Sequence, residues 1–149
     1  MSEPATRTYV VSLTIPDNEA FTALATLARL GLPAAAVVRS DVWVATVDAA
    51  ATDTVDAAIP TIETIFNPNK HRLEVRSVAA PLPGEVWITA RDEMPRMTVA
   101  GRTIAGVIAI VRYTAWRLLD ESGSDVAPGV LDRATEMFLC NPAFQEAIR

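Results

Sequence analysis

A chain of 149 residues with half its side chains hydrophobic, mean hydropathy +0.24 and a net charge of −5 has enough apolar material for a packed core and too much to stay disordered. Both halves are net acidic and only one lysine is present, so no basic face for nucleic acid is expected. The single cysteine and single histidine exclude an intramolecular disulfide, a Cys-based zinc site and a His-rich metal site.

Met1 to Arg7 is short and polar and lacks an apolar h-region, so it reads as a loose tail rather than a signal peptide. Tyr9, Val11, Leu13 and Ile15 alternate with Val10, Ser12 and Thr14, the period of a strand. Asp17 or Asn18 can cap a following helix, whose apolar stripe is Phe21, Leu24, Leu27 and Ala28 and whose stop is Gly31. Residues 35–39 and 42–47 are both β-prone with Ser40-Asp41 between them, which fits either an antiparallel hairpin or one long bent strand. Thr52 or Asp53 can cap a second helix carrying Val55, Ile59, Ile62, Ile65 and Phe66, with Pro60 either kinking it or marking its first turn.

Asn67-Pro68-Asn69 stops that helix. Lys70, His71 and Arg72 follow, where a helix C-terminus favours cations; a phosphate or partner contact is the functional alternative. Leu73, Val75 and Ser77 then alternate with Glu74, Arg76 and Val78 as a closing strand. The order is that of a ferredoxin-like βαββαβ sandwich, in the α+β class, over residues 1–79.

Residues 79–84 form a Pro/Gly linker. Beyond it, residues 80–149 are expected to be a C-terminal extension: a strand at 86–90, a turn at Glu93–Arg96 and a returning strand at 97–102, giving a β-hairpin. A helix from Ile104 to Leu119, apolar on most sides, should follow, with Ile108 and Trp116 among its most buried residues. A helix from about Pro128 to Leu139, which Asp125 can cap, and a last turn or helix at 143–149 complete the chain. Arg112 and Arg117 interrupt the apolar run at 103–119, which is too short and charged for a membrane span, and the expected compartment is the cytoplasm. Val38-Arg39 and Asn67-Pro68 are echoed by Val111-Arg112 and Asn141-Pro142, as in a degenerate second copy, although Asn-Pro is also a common breaker.

No glycine-rich phosphate loop and no nucleophile elbow is present. Cys140 reads as a buried inert thiol, and the pairs Asp92-Glu93 and Asp120-Glu121 as solvated element ends. Arg39 and Arg112 lie on or near apolar segments, and a buried arginine needs a partner, for which Asp41 and Asp120 or Glu121 are candidates. No cofactor is expected.

Residues 8–78 resemble the small-subunit family of phosphoribosylformylglycinamidine synthase, the PurS family. Leu30-Gly31, Val38-Arg39, Phe66-Asn67-Pro68 and Leu73-Glu74-Val75 carry the likeness. The chain departs from the family where Ser40-Asp41-Val42-Trp43 replaces a Gly-Lys-aromatic run, so it looks like a divergent relative. The resemblance implies a non-catalytic ferredoxin-like protein that dimerises through its sheets and bridges a glutaminase to a synthetase in purine biosynthesis. The expected function is that of an oligomerising or bridging subunit. The ligand or partner candidates are Arg39, Asn67, Asn69, Lys70, His71 and Arg72. The alternatives are a small enzyme or anion-binding protein using the Asn67–Arg72 turn, or a component of an unrelated assembly.

Overall fold

The structure is a computed structural model and describes residues 3–149; Met1 and Ser2 of the expected tail lie outside the described residues. It is a mixed α+β protein, mainly an antiparallel sheet of six strands with three helices. The strands are β1 (Pro4–Leu13), β2 (Ala36–Asp48), β3 (His71–Arg76), β4 (Glu85–Ala90), β7 (Val107–Leu119) and β8 (Gln145–Ile148), in the order β3-β1-β2-β7-β4-β8. Two short strands, β5 (Thr98–Val99) and β6 (Arg102–Thr103), pair separately around Ala100 and Gly101, both with positive φ, as a tight hairpin turn requires. The helices are α1 (Asn18–Arg29), α2 (Thr52–Ala58) and α3 (Pro128–Ala134).

Several elements follow their local chemistry. The Asp17 carboxylate accepts from the Glu19 and Ala20 amides and starts α1. At its other end Leu32 donates to Leu27 and Gly31 to Ala28, a Schellman closure that needs the left-handed φ of Gly31. The buried face of α1 is Ala20, Ala23 and Leu27, while Phe21 is 61% exposed. The stripe is thus rotated from the expected one, because two alanines allow a closer approach than a phenylalanine would. Pro60 ends α2 early: Ile59–Thr61 is a single 3₁₀ turn and Ile62 is already extended. Val55, Ile59, Ile62 and Ile65 nevertheless stay buried.

Other elements differ from expectation. Pro4–Arg7 is strand, not tail: it opens β1, with Arg7 held by Asp56, and beyond it β1 pairs with β3 from Thr8↔Arg76 to Leu13↔His71. Ser40-Asp41 is not a turn; β2 runs through it as one strand, with Ser40 buried and Asp41 bonded to Arg112 at 3.1 Å. The largest correction concerns Ile104–Leu119, which is not a helix. Val107–Leu119 is strand β7, in which Ile108 is 48% exposed and Trp116 only half-buried. An all-round apolar run suits either state, and here the Val, Ile, Thr, Tyr and Trp content favours the pleated one. Residues 143–149 likewise hold strand β8 rather than a helix, and α3 starts on Pro128 without an Asp125 cap. Asp125 instead takes a bidentate pair from Arg117, at 2.6 and 3.0 Å.

The chain forms two compact units, each drawing segments from both sides of the 79–84 linker. The first (1–15, 41–79 and 93–113) packs Tyr9, Val11, Trp43, Ala45 and Val47 against Val55, Ile59, Ile62 and Ile65 of the α2 region, with Val99, Ile104 and Ile110 completing its core. The second (16–40, 80–92 and 114–149) packs Leu27 and Leu32 with Val86, Ile88, Leu118, Leu131, Ala134 and Leu139. Each valine, leucine or isoleucine among them contributes roughly 1.5–3 kcal/mol when fully buried. No helix among the described residues is long and apolar enough to cross a membrane.

Candidate functional site

Five of the six candidate residues sit on one turn of the first unit. After Phe66 the chain reverses at Asn67. The Asn67 carbonyl accepts from the Lys70 and His71 amides at 3.1 and 2.8 Å, and its side-chain Oδ1 accepts from the Asn69 amide at 2.9 Å. The Asn67 amide donates to His71 Nδ1 at 2.9 Å. Burial and the neighbouring Lys70 charge lower the His71 pKa, against a smaller opposing effect of Asp41, which suits a ring that must stay neutral to accept. The ring also contacts Phe66, with centroids 6.0 Å apart.

Every polar atom of the Asn67 backbone and its Oδ1 is therefore used to make the turn. Lys70 and Arg72 are exposed. Arg39 belongs to the second unit, where Asp17 (3.2 Å) and Glu19 (3.1 Å) hold it; neither is among the acids the sequence suggested. Asp41, one of those acids, serves Arg112 instead, and Arg112 also lies over the Trp43 ring at 5.6 Å.

The second unit contains the same turn. The Asn141 carbonyl accepts from Phe144 and Gln145 at 3.0 and 2.7 Å, Asn141 Oδ1 accepts from Ala143 at 3.1 Å, and the Asn141 amide donates to Gln145 Oε1 at 2.9 Å. Gln145 does the work of His71. Each turn leads into a short strand, β3 in one case and β8 in the other.

One difference between the turns is testable. His71 can be protonated and Gln145 cannot. A folded-state pKa below the unfolded one means that His71 contributes stability above its unfolded pKa, near 6.5, which is lost as pH falls through the lower folded value. Acidification from pH 7 to about 5 is expected to weaken hydrogen-exchange protection of the Asn67 amide while leaving that of Asn141 unchanged. His71→Gln should abolish the difference.

Sequence reasoning did not find two further groupings. One is the Arg7–Asp56–Tyr9 cluster of the first unit. The other is a cavity of about 560 Å³ in the second unit, between the 81–84 linker, the end of β7 and the start of α3. The linker prolines and Pro128 were its only sequence signal, since they mark backbone that cannot pair in the sheet. Gly84 lies against Asp125 so closely that a Cβ would stand 2.5 Å from the carboxylate, and its φ of +87° strains any larger residue there. Among the described residues, no group of three or more His, Cys, Asp or Glu side chains is arranged to hold a metal ion. No family model matches the chain, and no curated protein does.

Proposed function

We propose that this protein is a non-catalytic oligomerising or bridging subunit, a divergent relative of the PurS family acting in the cytoplasm. The observation that carries the reading is the repeated Asn-Pro turn, with the same four hydrogen bonds at Asn67 and at Asn141. Around it the chain runs twice through one order of elements: strand, connection, long strand, helix, Asn-Pro turn, closing strand. In this reading each copy is a ferredoxin-like half whose two middle strands have fused into one, β2 or β7. A duplicated, sheet-rich scaffold suits assembly better than catalysis. The reading is further supported by the commitment of the Asn67 backbone, the His71 ring and Arg39 to internal bonds, which takes them out of an anion contact.

The outer strands offer the assembly surface. β3 carries Arg72, Glu74 and Arg76, charges of the kind that guard an edge. At the other edge, β8 and its approach expose Met137, Phe138, Phe144 and Ile148. We infer a homo-oligomer built through this end, with a glutaminase and a synthetase as the partners the family implies. Light scattering at tens of micromolar (about the concentration at which an interface of ordinary affinity is filled) should give a mass at least twice the 16.0 kDa of one chain. A Phe144→Glu variant should lower it. A monomeric mass for the unaltered protein overturns the oligomer, and affinity capture from its own cells that recovers neither enzyme overturns the purine assignment.

A further inference from the structure

The cavity of the second unit has the chemistry of a binding site, and nothing in the proposed assembly role uses it. Its volume of about 560 Å³ lies in the range of small-molecule pockets. Leu82, Leu118, Val126 and Leu131 give it an apolar wall, and no aromatic side chain lines it. Its charged lining is unequal: Glu85, Asp125 and Asp132 supply three carboxylates against the single guanidinium of Arg149. Arg117 reaches Asp125 without itself lining the cavity.

The acids are also held in place. Glu85 is 9% exposed, and its Oε1 accepts from the Leu82 amide at 3.0 Å and from Trp87 Nε1 at 3.4 Å. Asp125 is fixed by the bidentate Arg117 pair and by its close approach to Gly84, and Asp132 is bonded to Arg149. A pre-positioned carboxylate beside an apolar wall costs little ordering when a ligand arrives. The absence of an aromatic lining argues against a quaternary ammonium, which is bound through ring faces, and for an ammonium that donates N–H bonds.

We propose that this cavity binds a small amphipathic amine, its alkyl body against Leu82, Leu118, Val126 and Leu131 and its primary or secondary ammonium directed to the Glu85 and Asp125 carboxylates. The test compares n-hexylamine, n-hexanol and hexanoate, each titrated into the full chain and followed by amide chemical shifts. Hexylamine should move the Leu82 and Val126 amides and bind about tenfold more tightly than hexanol, the worth of one charge-assisted hydrogen bond. Hexanoate should bind more weakly than hexanol. In E85Q, which keeps an acceptor for Leu82 and Trp87, the preference for hexylamine over hexanol should fall. Leu82→Trp, at a partly exposed wall position, should block both ligands without disturbing the core. Equal binding of all three compounds, tighter binding of hexanoate, shifts confined to other residues, or no binding by hexylamine would each overturn the proposal. If E85Q does not fold, the three-ligand comparison and Leu82→Trp decide the matter.

Discussion

A chain ending at residue 79 is expected not to fold, even though it contains every residue of the family resemblance. The core of the first unit includes Val99, Ile104 and Ile110, all beyond the cut. Removing three such side chains forfeits about 5–9 kcal/mol, which is comparable to the whole net stability of a small domain, about 5–15 kcal/mol. The loss extends to α1, whose Leu27 packs in the second unit with Val86, Ile88 and Leu118. In the fragment α1 would keep only Leu32, Ala34 and Val37 of that cluster, and a 12-residue helix is marginal alone. Residues 1–79 should therefore show no near-UV circular dichroism and no cooperative melting. Mixing the 1–79 and 80–149 fragments should restore both. A cooperative transition in the 1–79 fragment alone would show that α1 and the 93–110 segment contribute far less than their burial implies.

What the sequence made legible was local. The Asp17 cap, the Gly31 stop and the buried stripe from Val55 to Ile65 all depend on neighbours within a few residues, and all are found, whereas the helix expected to run on to Asn67-Pro68 already ends around Pro60. What it concealed was set by distant partners. Whether Ser40-Asp41 turns or runs straight depends on Arg112, 71 positions away from Asp41. Val107–Leu119 is apolar on nearly every side, so periodicity could not choose between helix and strand there, and the long pairing partner that decides it is not marked locally. The Asn-Pro echo was visible as letters. The bonds that make it one turn used twice were not, because His71 and Gln145 share no residue type, only an acceptor at the right reach. The cavity was invisible for a related reason: Leu82, Leu118, Leu131 and Arg149 meet only after the sheet has formed.

Asp56→Ala is expected to be the most damaging single substitution among the polar residues. Asp56 is carried by α2 to two groups of β1. Its Oδ1 accepts from the Tyr9 hydroxyl at 2.6 Å and from Arg7 Nε at 3.1 Å, and its Oδ2 takes the second Arg7 bond. Tyr9 is fully buried at the centre of the first unit's core, so its hydroxyl has no recourse to water. Truncating Asp56 leaves a buried hydroxyl and a half-buried guanidinium without their acceptor, at a cost of about 3 kcal/mol. Tyr9→Phe removes the hydroxyl and leaves Asp56 with Arg7, so it should cost only about 1 kcal/mol. The pH dependence gives a second, independent reading. Burial alone raises the Asp56 pKa, but the bonds from Arg7 and Tyr9 outweigh it and hold the value below the ordinary one. The stability that Asp56 confers is therefore complete above the unfolded carboxylate pKa, near 3.9, and is lost as pH falls through the lower folded value. Tyr9 has the opposite sign: burial, then the bond to Asp56, raise its pKa, so its contribution is complete below the unfolded value, near 10, and declines as pH rises above it. Urea unfolding should show the gap between the unaltered protein and Asp56→Ala constant from about pH 5 to 8 and shrinking below about pH 4. Tyr9→Phe should be less sensitive than the unaltered protein above about pH 10. A gap below 1 kcal/mol (about the size of one ordinary hydrogen bond), or one that does not narrow in acid, would mean that the cluster is replaced by water and does not tie α2 to β1.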